Sequence, residues 1–499
     1  MGEETPAPAG FVPTGVDGLD SILCGGFLRG GFYLIQGDPG SGKTTLALQF
    51  ARTCAARGES VLYVTLTESR KDLELTCRSH GWSLDGVEIC DLSHADTRAE
   101  EPNTLFYPAE VELGKTTRAI LEAVEKAAPR CVVFDGVGEL RMLAGDAFTY
   151  RRQMLALKQY FADHGITVAL FDDRTHRFDD VQPEMVVGGN LVLEKTLPGY
   201  GGARRRICVT KVRGADFRSG YHDYEIRYRE GVVVYPRLAN VRKEERYERE
   251  LFTSGVPGLD AMLGGGLSSG TTSLLLGPAG VGKSTVSMQF VAAALERGYP
   301  AAVYTFDEVL ETLFDRSEKL CASGIRQYAE SGLLLAQQVN PAEMTPGAFA
   351  HGVREAVRER GVRIVVIDSL NGYISAMPEE RLLQTHLHEL FVYLNELGIL
   401  SIMVVAQHGV LSAEAGGIDV SYLADTVLLL RYFESNAEIL QAINVFKKRT
   451  GSHERTLREF QISSEGLRVG EPLRAFSGIL TGVPRPAAGP PEAAAAAGK

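Results

Sequence analysis

A phosphate-binding signature that occurs twice is the feature that most constrains this chain. The pattern GxxxxGK[ST] spans Gly37–Thr44 and returns at Gly277–Ser284. In this spacing the glycines let consecutive backbone N–H groups turn toward phosphate oxygens, the lysine reaches the β- and γ-phosphates, and the following hydroxyl can bind Mg²⁺. One chain therefore carries two predicted nucleotide sites.

The surroundings of both signatures agree with this prediction. Each signature follows an apolar run that predicts a strand and precedes a segment with helical character, and this is the context that a phosphate loop needs. An ordinary glycine turn is the alternative. The residues predicted to bind ATP are Gly37, Asp38, Pro39, Gly40, Ser41, Gly42, Lys43, Thr44 and Thr45 in the first half, and Gly277, Pro278, Ala279, Gly280, Val281, Gly282, Lys283, Ser284 and Thr285 in the second.

The similarity between the two halves extends beyond the loops. Residues 15–20 read Gly-Val-Asp-Gly-Leu-Asp and residues 255–260 read Gly-Val-Pro-Gly-Leu-Asp, which indicates an internal duplication. A chain of 499 residues also exceeds what one hydrophobic core usually serves. Apolar runs that alternate with helical segments predict an α/β fold, with a mostly parallel sheet flanked by helices in each half. We expect a disordered leader at 1–10, a first domain at 11–236, a charged linker at 237–250, a second domain at 251–483 and a disordered Pro/Ala tail at 484–499.

The charge, the hydrophobic runs and the cysteines of the chain argue against several classes of protein. The net charge of −11 argues against nucleic acid as a partner, although a local basic stripe is compatible with it. No apolar run approaches the ~20 residues that a membrane span needs, and the acidic, Pro-rich first residues do not form a signal peptide. Seven cysteines without a CxxC pair argue against a disulfide framework and a zinc site. We therefore expect a cytoplasmic protein with no membrane partner.

Acidic residues follow the next predicted strand in both halves. The strand ends in Thr67-Glu68 in the first half and in Asp307-Glu308 in the second. A carboxylate at this position can polarise the water that attacks the γ-phosphate, so Glu68, Asp307 and Glu308 are candidate catalytic residues. A solvated acidic pair in a loop is the alternative, and it has more weight for Glu68, which has no neighbouring carboxylate.

A continuous apolar run then ends in an aspartate in each half, at Asp135 and at Asp368. Such a run predicts a central parallel strand, and an aspartate at its carboxyl end can bind Mg²⁺ through water opposite the hydroxyl of the phosphate loop. The predicted metal ligands are therefore Thr44 and Asp135 in the first site and Ser284 and Asp368 in the second.

Two further apolar runs end in polar residues. Residues 167–171 precede Asp172-Asp173, and residues 400–405 precede Ala406-Gln407-His408. Ligands of open α/β sheets bind at the carboxyl edge of the strands, so Gln407 is a candidate sensor of the γ-phosphate. An amide that caps a loop is the alternative.

Each half closes with a short basic pattern, Lys211-Val212-Arg213 and Lys447-Lys448-Arg449. Alternation along a strand puts the first and third residues of each triplet on one face. Lys211, Arg213, Lys447 and Arg449 could then contact the phosphates of a neighbouring subunit, as an arginine finger does. A solvated strand edge that blocks further pairing explains them equally well.

The order of these motifs over about residues 11–483 resembles the KaiC family, the double-domain RecA-like ATPases known from circadian clocks. The second half is the closer match, in Ala424–Tyr432 and Ile443–Arg449. The resemblance implies two tandem RecA-like P-loop domains, ATP and Mg²⁺ as ligands, and a hexameric homo-oligomeric ring with ATP at the subunit interfaces. It also implies that the basic pairs act in trans, that ATP hydrolysis is slow, and that the second domain has serine/threonine autokinase activity.

The sequence departs from the family at several positions. The Glu-Glu pair of the family is Thr67-Glu68 in the first half and Asp307-Glu308 in the second. The adjacent Ser-Thr phosphorylation pair of the family aligns with Ser421-Tyr422. Ser421 is therefore the one predicted phosphoacceptor, with a turn cap as its alternative role. The tail does not resemble the segment by which the family binds clock partners, so we expect a KaiC-like ATPase with an unknown signalling or regulatory partner. A RecA/Rad-type DNA-associated ATPase and a non-hydrolysing signalling scaffold are the alternatives.

Overall fold

The chain divides into two compact units, Met1–Arg237 and Leu238–Lys499. The structure, a computed structural model, describes residues 10–93, 108–174, 183–238, 247–320, 324–375, 383–406, 414–415, 418–419, 421–435, 437–463, 465–479 and 485–486. None of the helices in these ranges combines the length and the hydrophobicity of a membrane span.

The first unit alternates strands and helices up to β7 and then continues as antiparallel strands. Its strands are β1 (Phe11–Val12), β2 (Phe27–Leu28), β3 (Phe32–Gly37), β4 (Val61–Thr65), β5 (Val87–Asp91), β6 (Cys131–Asp135), β7 (Thr167–Asp173), β8 (Gly189–Thr196), β9 (Arg204–Val212), β10 (Tyr221–Arg227) and β11 (Gly231–Tyr235). Its helices are α1 (Asp17–Ile22), α2 (Lys43–Ala56), α3 (Arg70–Ser79), α4 (Pro108–Ala127), α5 (Gly138–Ala144) and α6 (Ala147–Asp163), with a 3₁₀ turn at Pro183–Met185.

Nine of these strands form one sheet in the order β11-β10-β9-β8-β3-β7-β6-β4-β5. The strands from β8 to β5 run parallel, whereas β9, β10 and β11 are antiparallel. One face of the sheet packs on α2 through residues such as Leu46 and Phe50, and the other packs on α6 through Met154 and Phe161. The strand that carries the first phosphate loop, β3, therefore lies in the middle of a sheet that is covered on both faces.

The second unit repeats this plan. Its strands are β12 (Leu251–Phe252), β13 (Leu267–Ser268), β14 (Thr272–Gly277), β15 (Ala301–Thr305), β16 (Leu334–Gln338), β17 (Ile364–Asp368), β18 (Leu400–Ala406), β19 (Glu414–Ala415), β20 (Ile418–Asp419), β21 (Thr426–Ser435), β22 (Glu438–Lys448), β23 (Arg458–Ser463), β24 (Gly466–Pro472), β25 (Phe476–Ser477) and β26 (Arg485–Pro486). Its helices are α7 (Pro257–Met262), α8 (Lys283–Glu296), α9 (Leu310–Leu320), α10 (Ile325–Glu330), α11 (Pro346–Arg360), α12 (Leu370–Ser375) and α13 (Leu383–Glu396), with a 3₁₀ turn at Ser421–Leu423.

The second nine-stranded sheet has the order β16-β15-β17-β18-β14-β21-β22-β23-β24. Here β14 occupies the place of β3 and lies parallel to β18 and β21. The predicted fold class, two tandem RecA-like units with mostly parallel sheets flanked by helices, is confirmed.

The ends of the predicted domains have structure of their own. Tyr247, in the predicted linker, lies with its ring where a side chain at Gly398 would be, and Glu250 forms an ion pair with Arg363. In the predicted tail, Arg485–Pro486 pairs with Phe476–Ser477 in a two-stranded sheet. The ranges 239–246 and 487–499, and residues 1–9 of the predicted leader, lie outside the described residues.

The repeated Gly-Val-x-Gly-Leu-Asp motif forms the same corner in each unit. The Asp20 carboxylate accepts hydrogen bonds from the Thr14 backbone N–H at 2.8 Å and the Thr14 hydroxyl at 2.7 Å. Helix α1 then crosses β11 so closely that a Cβ at Gly18 would lie 1.9 Å from the Val234 carbonyl oxygen. The second glycine of the motif therefore allows this helix to rest on the antiparallel strands.

We expect Gly18→Ala to lower the free energy of unfolding of the first unit by about 1–3 kcal/mol, because the added methyl group meets a backbone carbonyl rather than a movable side chain. Trp82 is the single tryptophan of the chain and lies in this unit, so its fluorescence during urea denaturation reports the first unit alone. Gly114→Ala is the matched control: it lies within α4 with no heavy atom within 4 Å of the new Cβ, and it should be neutral or stabilise by about 0.5–1 kcal/mol. Identical transitions for Gly18→Ala and the wild type would show that this contact does not constrain the fold.

Candidate functional site

Both phosphate loops have the same backbone conformation. Gly40 and Gly42 have φ angles of +72° and +99°, and Gly280 and Gly282 have +78° and +100°. L-residues rarely adopt this left-handed region, whereas glycine does so without strain. Helices α2 and α8 begin directly after each loop, with a glycine as N-cap that supplies no side-chain cap. Their first backbone N–H groups are therefore oriented as in an anion-binding site.

The two predicted lysines lie over their own loops. The Lys43 Nζ donates hydrogen bonds to the carbonyl oxygens of Gly37 at 3.0 Å and Asp38 at 3.1 Å. The Lys283 Nζ donates to the Pro278 carbonyl oxygen at 2.7 Å. Lys283 is only 6% exposed, and burial lowers its pKa while Asp368 acts in the opposite direction. A polyphosphate in this loop would supply the negative charge that a buried ammonium group needs.

A hydroxyl and an aspartate meet beside each loop. Asp135 is buried, which raises its pKa, and side-chain hydrogen bonds from Tyr63 and Thr44 lower it in part; the Tyr63 hydroxyl donates at 2.7 Å. Burial likewise raises the pKa of Asp368, against a hydrogen bond from Ser284. The structure thus brings together both predicted pairs of metal ligands.

The donor set of these pairs fits Mg²⁺. Hydroxyl and carboxylate oxygens are ligands that Mg²⁺ takes, and it is usually bound by one or two carboxylates together with waters and substrate phosphates. Within the described part of the chain no cluster of three or more His, Cys, Asp or Glu residues gathers that could hold a metal ion unaided. The oxygen donors present in each pair are thus compatible with the predicted Mg²⁺ ligands.

The candidate carboxylates are held by a turn that is common to both units. The Thr65 hydroxyl donates to the Glu68 carbonyl oxygen at 2.6 Å and accepts from the Glu68 N–H at 3.1 Å. Thr305 makes the same two contacts with Glu308, at 3.0 and 3.2 Å. Burial, followed by the charge of Asp135, raises the pKa of Glu68. Each carboxylate therefore follows its strand at a defined position beside the aspartate of the neighbouring strand.

The second site provides partners for both of its predicted carboxylates. Glu308 forms an ion pair with Arg316 of α9 at 2.9 Å, and Asp307 accepts a hydrogen bond from the Ser369 hydroxyl. Neither Arg316 nor Ser369 was among the residues predicted from the sequence, because neither belongs to a spacing motif. Thr67 occupies the place of Asp307 in the first unit and leaves Glu68 as the single carboxylate there.

The lysine and the arginine of each basic pair have different surroundings. The Lys211 Nζ donates to the carbonyl oxygens of Glu184 at 2.7 Å and Val187 at 2.9 Å, and the Lys447 Nζ donates to the Ala424 carbonyl oxygen at 2.8 Å. Arg213 is exposed. Arg449 is also exposed, with 55% of its side chain accessible and Asp425 at 3.4 Å. The lysines therefore contact the backbone of their own unit, and the arginines extend into solvent.

Two charged residues of the first site were not predicted from the sequence. Asp173, at the end of β7, lies opposite Gly37 in the sheet, and its Oδ1 is 2.5 Å from the Lys43 Nζ. Lys195 of β8 lies against the loop, with its Nζ 2.9 Å from where a Cβ of Gly40 would be. The sequence showed Asp173 only as a polar residue after an apolar run, and Lys195 carries no motif.

The second site differs at both of these positions. Ala406 lies opposite Gly277, where Asp173 lies opposite Gly37, and the Tyr432 hydroxyl approaches Gly280 in place of the Lys195 ammonium group. Gln407, the candidate γ-phosphate sensor, lies outside the described residues. Ser421 begins the 3₁₀ turn Ser421–Leu423, and its side chain lies outside the description.

Comparison with known proteins identifies the family. The sequence matches the family described as "ATPase: KaiC" over residues 12–239 and again over residues 252–474. The chain belongs to the KaiC family of ATPases. This confirms the resemblance that the motifs indicated, and the two matches correspond to the two nine-stranded sheets.

Relatives in this family span nearly the whole chain. The circadian clock protein KaiC3 of Synechocystis sp. is 27% identical over 478 residues, which cover 94% of each chain. The circadian clock oscillator protein KaiC of Thermostichus vulcanus is 24% identical over 97% of this chain and 93% of its own. That of Acaryochloris marina is 25% identical over 94% and 90%. The KaiC-family ATPase architecture therefore extends over both units of this chain.

We expect Lys43→Ala and Lys283→Ala each to remove about one bound nucleotide per chain, because each deletes the cation that contacts the β- and γ-phosphates. Equilibrium dialysis with a labelled, non-hydrolysable ATP analogue and Mg²⁺ gives the stoichiometry. Lys126→Ala, which removes an exposed lysine of α4, is the control and should bind as the wild type does. Retention of the full stoichiometry by the double variant would rule out two phosphate-loop sites.

Proposed function

We propose that this KaiC-family protein binds Mg·ATP at both phosphate loops and hydrolyses ATP in a homo-oligomeric ring. One observation carries the proposal: the same constellation occurs in both units, with left-handed loop glycines, a lysine over the loop, and a hydroxyl paired with a buried aspartate. Each part has a separate role toward a nucleoside triphosphate, so its repetition supports two ATP sites rather than two glycine turns.

Different residues of each site would bind the phosphates, hold Mg²⁺ and activate the attacking water. The loop N–H groups and Lys43 or Lys283 bind and orient the phosphates. Thr44 with Asp135, and Ser284 with Asp368, would hold Mg²⁺, which neutralises charge on the β- and γ-phosphate oxygens. In the second site the Asp307 and Glu308 carboxylates would orient the attacking water and take its proton. The contacts of Ser369 and Arg316 fix the directions of these carboxylates.

The two sites differ in their catalytic groups, and this supports a division of activity. The second site has two carboxylates after β15, whereas Thr67 leaves one after β4. Loss of a catalytic base typically costs 10²–10⁴-fold in rate. We therefore expect Lys283→Ala to abolish most ADP release and Lys43→Ala to leave most of it. The measurement is steady-state ADP production by each full-length variant, and equal losses in the two would contradict the division.

The exposed arginines support action across a subunit interface. Lys211 and Lys447 donate hydrogen bonds to backbone carbonyl groups at the ends of their strands, whereas the side chains of Arg213 and Arg449 are exposed. An exposed guanidinium at this position could contact the phosphates of an adjacent subunit and stabilise charge in the transition state. A hexameric ring, which the family resemblance implies, would place a neighbour at this edge.

We expect Arg449→Ala to reduce ATP turnover by about 10³-fold or more, the usual size of an arginine-finger effect, and to leave stability almost unchanged because exposed ion pairs contribute little. Rings that mix Arg449→Ala chains with Lys283→Ala chains should regain activity, since some interfaces then combine an intact loop with an intact arginine. Arg468→Ala, which removes an exposed arginine of β24, is the control. If rings that are shown to be mixed do not regain ATP turnover, Arg449 acts on the site of its own chain or has no role in catalysis.

The finer parts of this proposal follow the family. They include a cytoplasmic location, a regulatory or signalling protein as partner, and autokinase activity of the second unit with Ser421 as acceptor. The position of Ser421 at the start of a turn before β21 is equally suited to a capping role. Hydrolysis at the second site is therefore the main activity that we propose.

A further inference from the structure

The first phosphate loop has a carboxylate beside its lysine, and the second has none at the equivalent place. Asp173 lies 2.5 Å from the Lys43 Nζ, with 51% of the Asp173 side chain and 13% of the Lys43 side chain exposed. In the second unit the equivalent register position is Ala406, which carries no charge. The glycines of the two loops have matching φ angles, so the exchange of Asp173 for Ala406 leaves the loop conformation unchanged. It changes the charge that a bound ligand would meet.

The sheet order shows which end of a nucleotide Asp173 faces. Strand β7 lies between β3, which leads into the loop, and β6, which ends in Asp135. Lys43 is the residue that reaches the β- and γ-phosphates in loops of this kind, and its Nζ lies beside Asp173. Thr44 and Asp135 are the residues that would hold Mg²⁺. The γ end of a bound nucleotide would therefore lie on the β6–β7 side of the loop. The Asp173 carboxylate is on that side, and its charge also acts on Asp135.

The opposite side of the loop carries an added cation. Strand β8 pairs with β3 on the side away from β7, and the ammonium group of its Lys195 lies against Gly40. The second unit has the neutral Tyr432 hydroxyl in this place. Compared with the second site, the first site thus has an additional positive charge, Lys195, on the side away from the γ end. It also has an additional negative charge, Asp173, on the side of the γ end.

We propose that Asp173 lowers the affinity of the first site for nucleoside triphosphates relative to diphosphates, so that this site binds ATP more weakly than it would with an uncharged residue at this position. This inference rests on the proposed function, because it presupposes that the first loop binds a nucleotide. ADP retains the contacts of the loop N–H groups, Lys43 and Lys195. ATP adds a charged γ-phosphate next to the Asp173 carboxylate, and like charges at this separation repel. Ala406, at the equivalent position of the second site, carries no charge that would repel the γ-phosphate.

Full-length protein with Lys283→Ala isolates the first site for the test. Isothermal titration with Mg²⁺ and either ADP or β,γ-imido-ATP gives both affinities before and after Asp173→Asn. We expect Asp173→Asn to tighten binding of the triphosphate analogue by about five- to tenfold, as for loss of one like charge in a half-exposed site, and to change ADP affinity less than twofold. Asp163→Asn removes the same charge from the exposed end of α6 and should change neither affinity.

The reciprocal variant tests whether the position itself carries the selectivity. In full-length protein with Lys43→Ala, Ala406→Asp should weaken binding of the triphosphate analogue by a similar factor and leave ADP binding almost unchanged. An unchanged ratio of the two affinities in Asp173→Asn would overturn the inference while leaving the proposed function intact, and so would weaker analogue binding, which would mean that Asp173 helps to hold the γ end. If the Lys283→Ala protein binds neither nucleotide, the first site of the proposed function fails as well.

Discussion

In each unit an isoleucine of the antiparallel strands packs against the last glycine of the phosphate loop. This contact connects the antiparallel strands to the loop that follows a central parallel strand. A Cβ at Gly42 would lie 2.5 Å from Ile226 Cδ1, and one at Gly282 would lie 2.3 Å from Ile462 Cδ1. These glycines also adopt the left-handed backbone that turns the loop into its helix. Any larger residue would meet both constraints at once. The antiparallel strands at the edge of each sheet therefore press directly on the loop, and the loop conformation depends on them.

The same arrangement explains why the two copies can diverge in chemistry without diverging in shape. Backbone angles, strand order and the threonine-centred turns before Glu68 and Glu308 are shared. The differences are side chains that extend from equivalent positions: Asp173 against Ala406, and Lys195 against Tyr432. Substitutions at strand ends alter the charge around the phosphates at little cost to the core, because these positions face the crevice rather than the interior.

The function that we propose needs the nucleotide loop and the basic pairs to lie at separate places in each unit. A ring ATPase needs one edge for its own nucleotide and another that reaches a neighbour. In this chain the loop lies at the carboxyl edge of the parallel strands, and the basic pairs lie at the ends of the antiparallel strands β9 and β22. Lys211 and Lys447 contact backbone carbonyl groups, so their charge stabilises the strand ends. The exposed arginine two residues later is the one that we propose for contact with a neighbouring subunit.

The sequence by itself determined the features that depend on local chemistry. Sequence spacing alone predicted the two phosphate loops, the strand before each loop, and the aspartates that end β6 and β17. The spacing of glycine and lysine residues defines the loop motif, and continuous apolar runs indicate buried strands. The family resemblance extended the prediction to the RecA-like fold.

The tertiary structure decided which distant residues meet. Asp173 approaches Lys43, and Lys195 approaches Gly40, because parallel pairing brings β7 and β8 to either side of β3. Arg316 and Ser369 reach the second site's carboxylates through the packing of α9 and the turn after β17. No spacing rule predicts such contacts, since they depend on strand order and register, which long-range hydrogen bonds and core packing establish only in the folded chain.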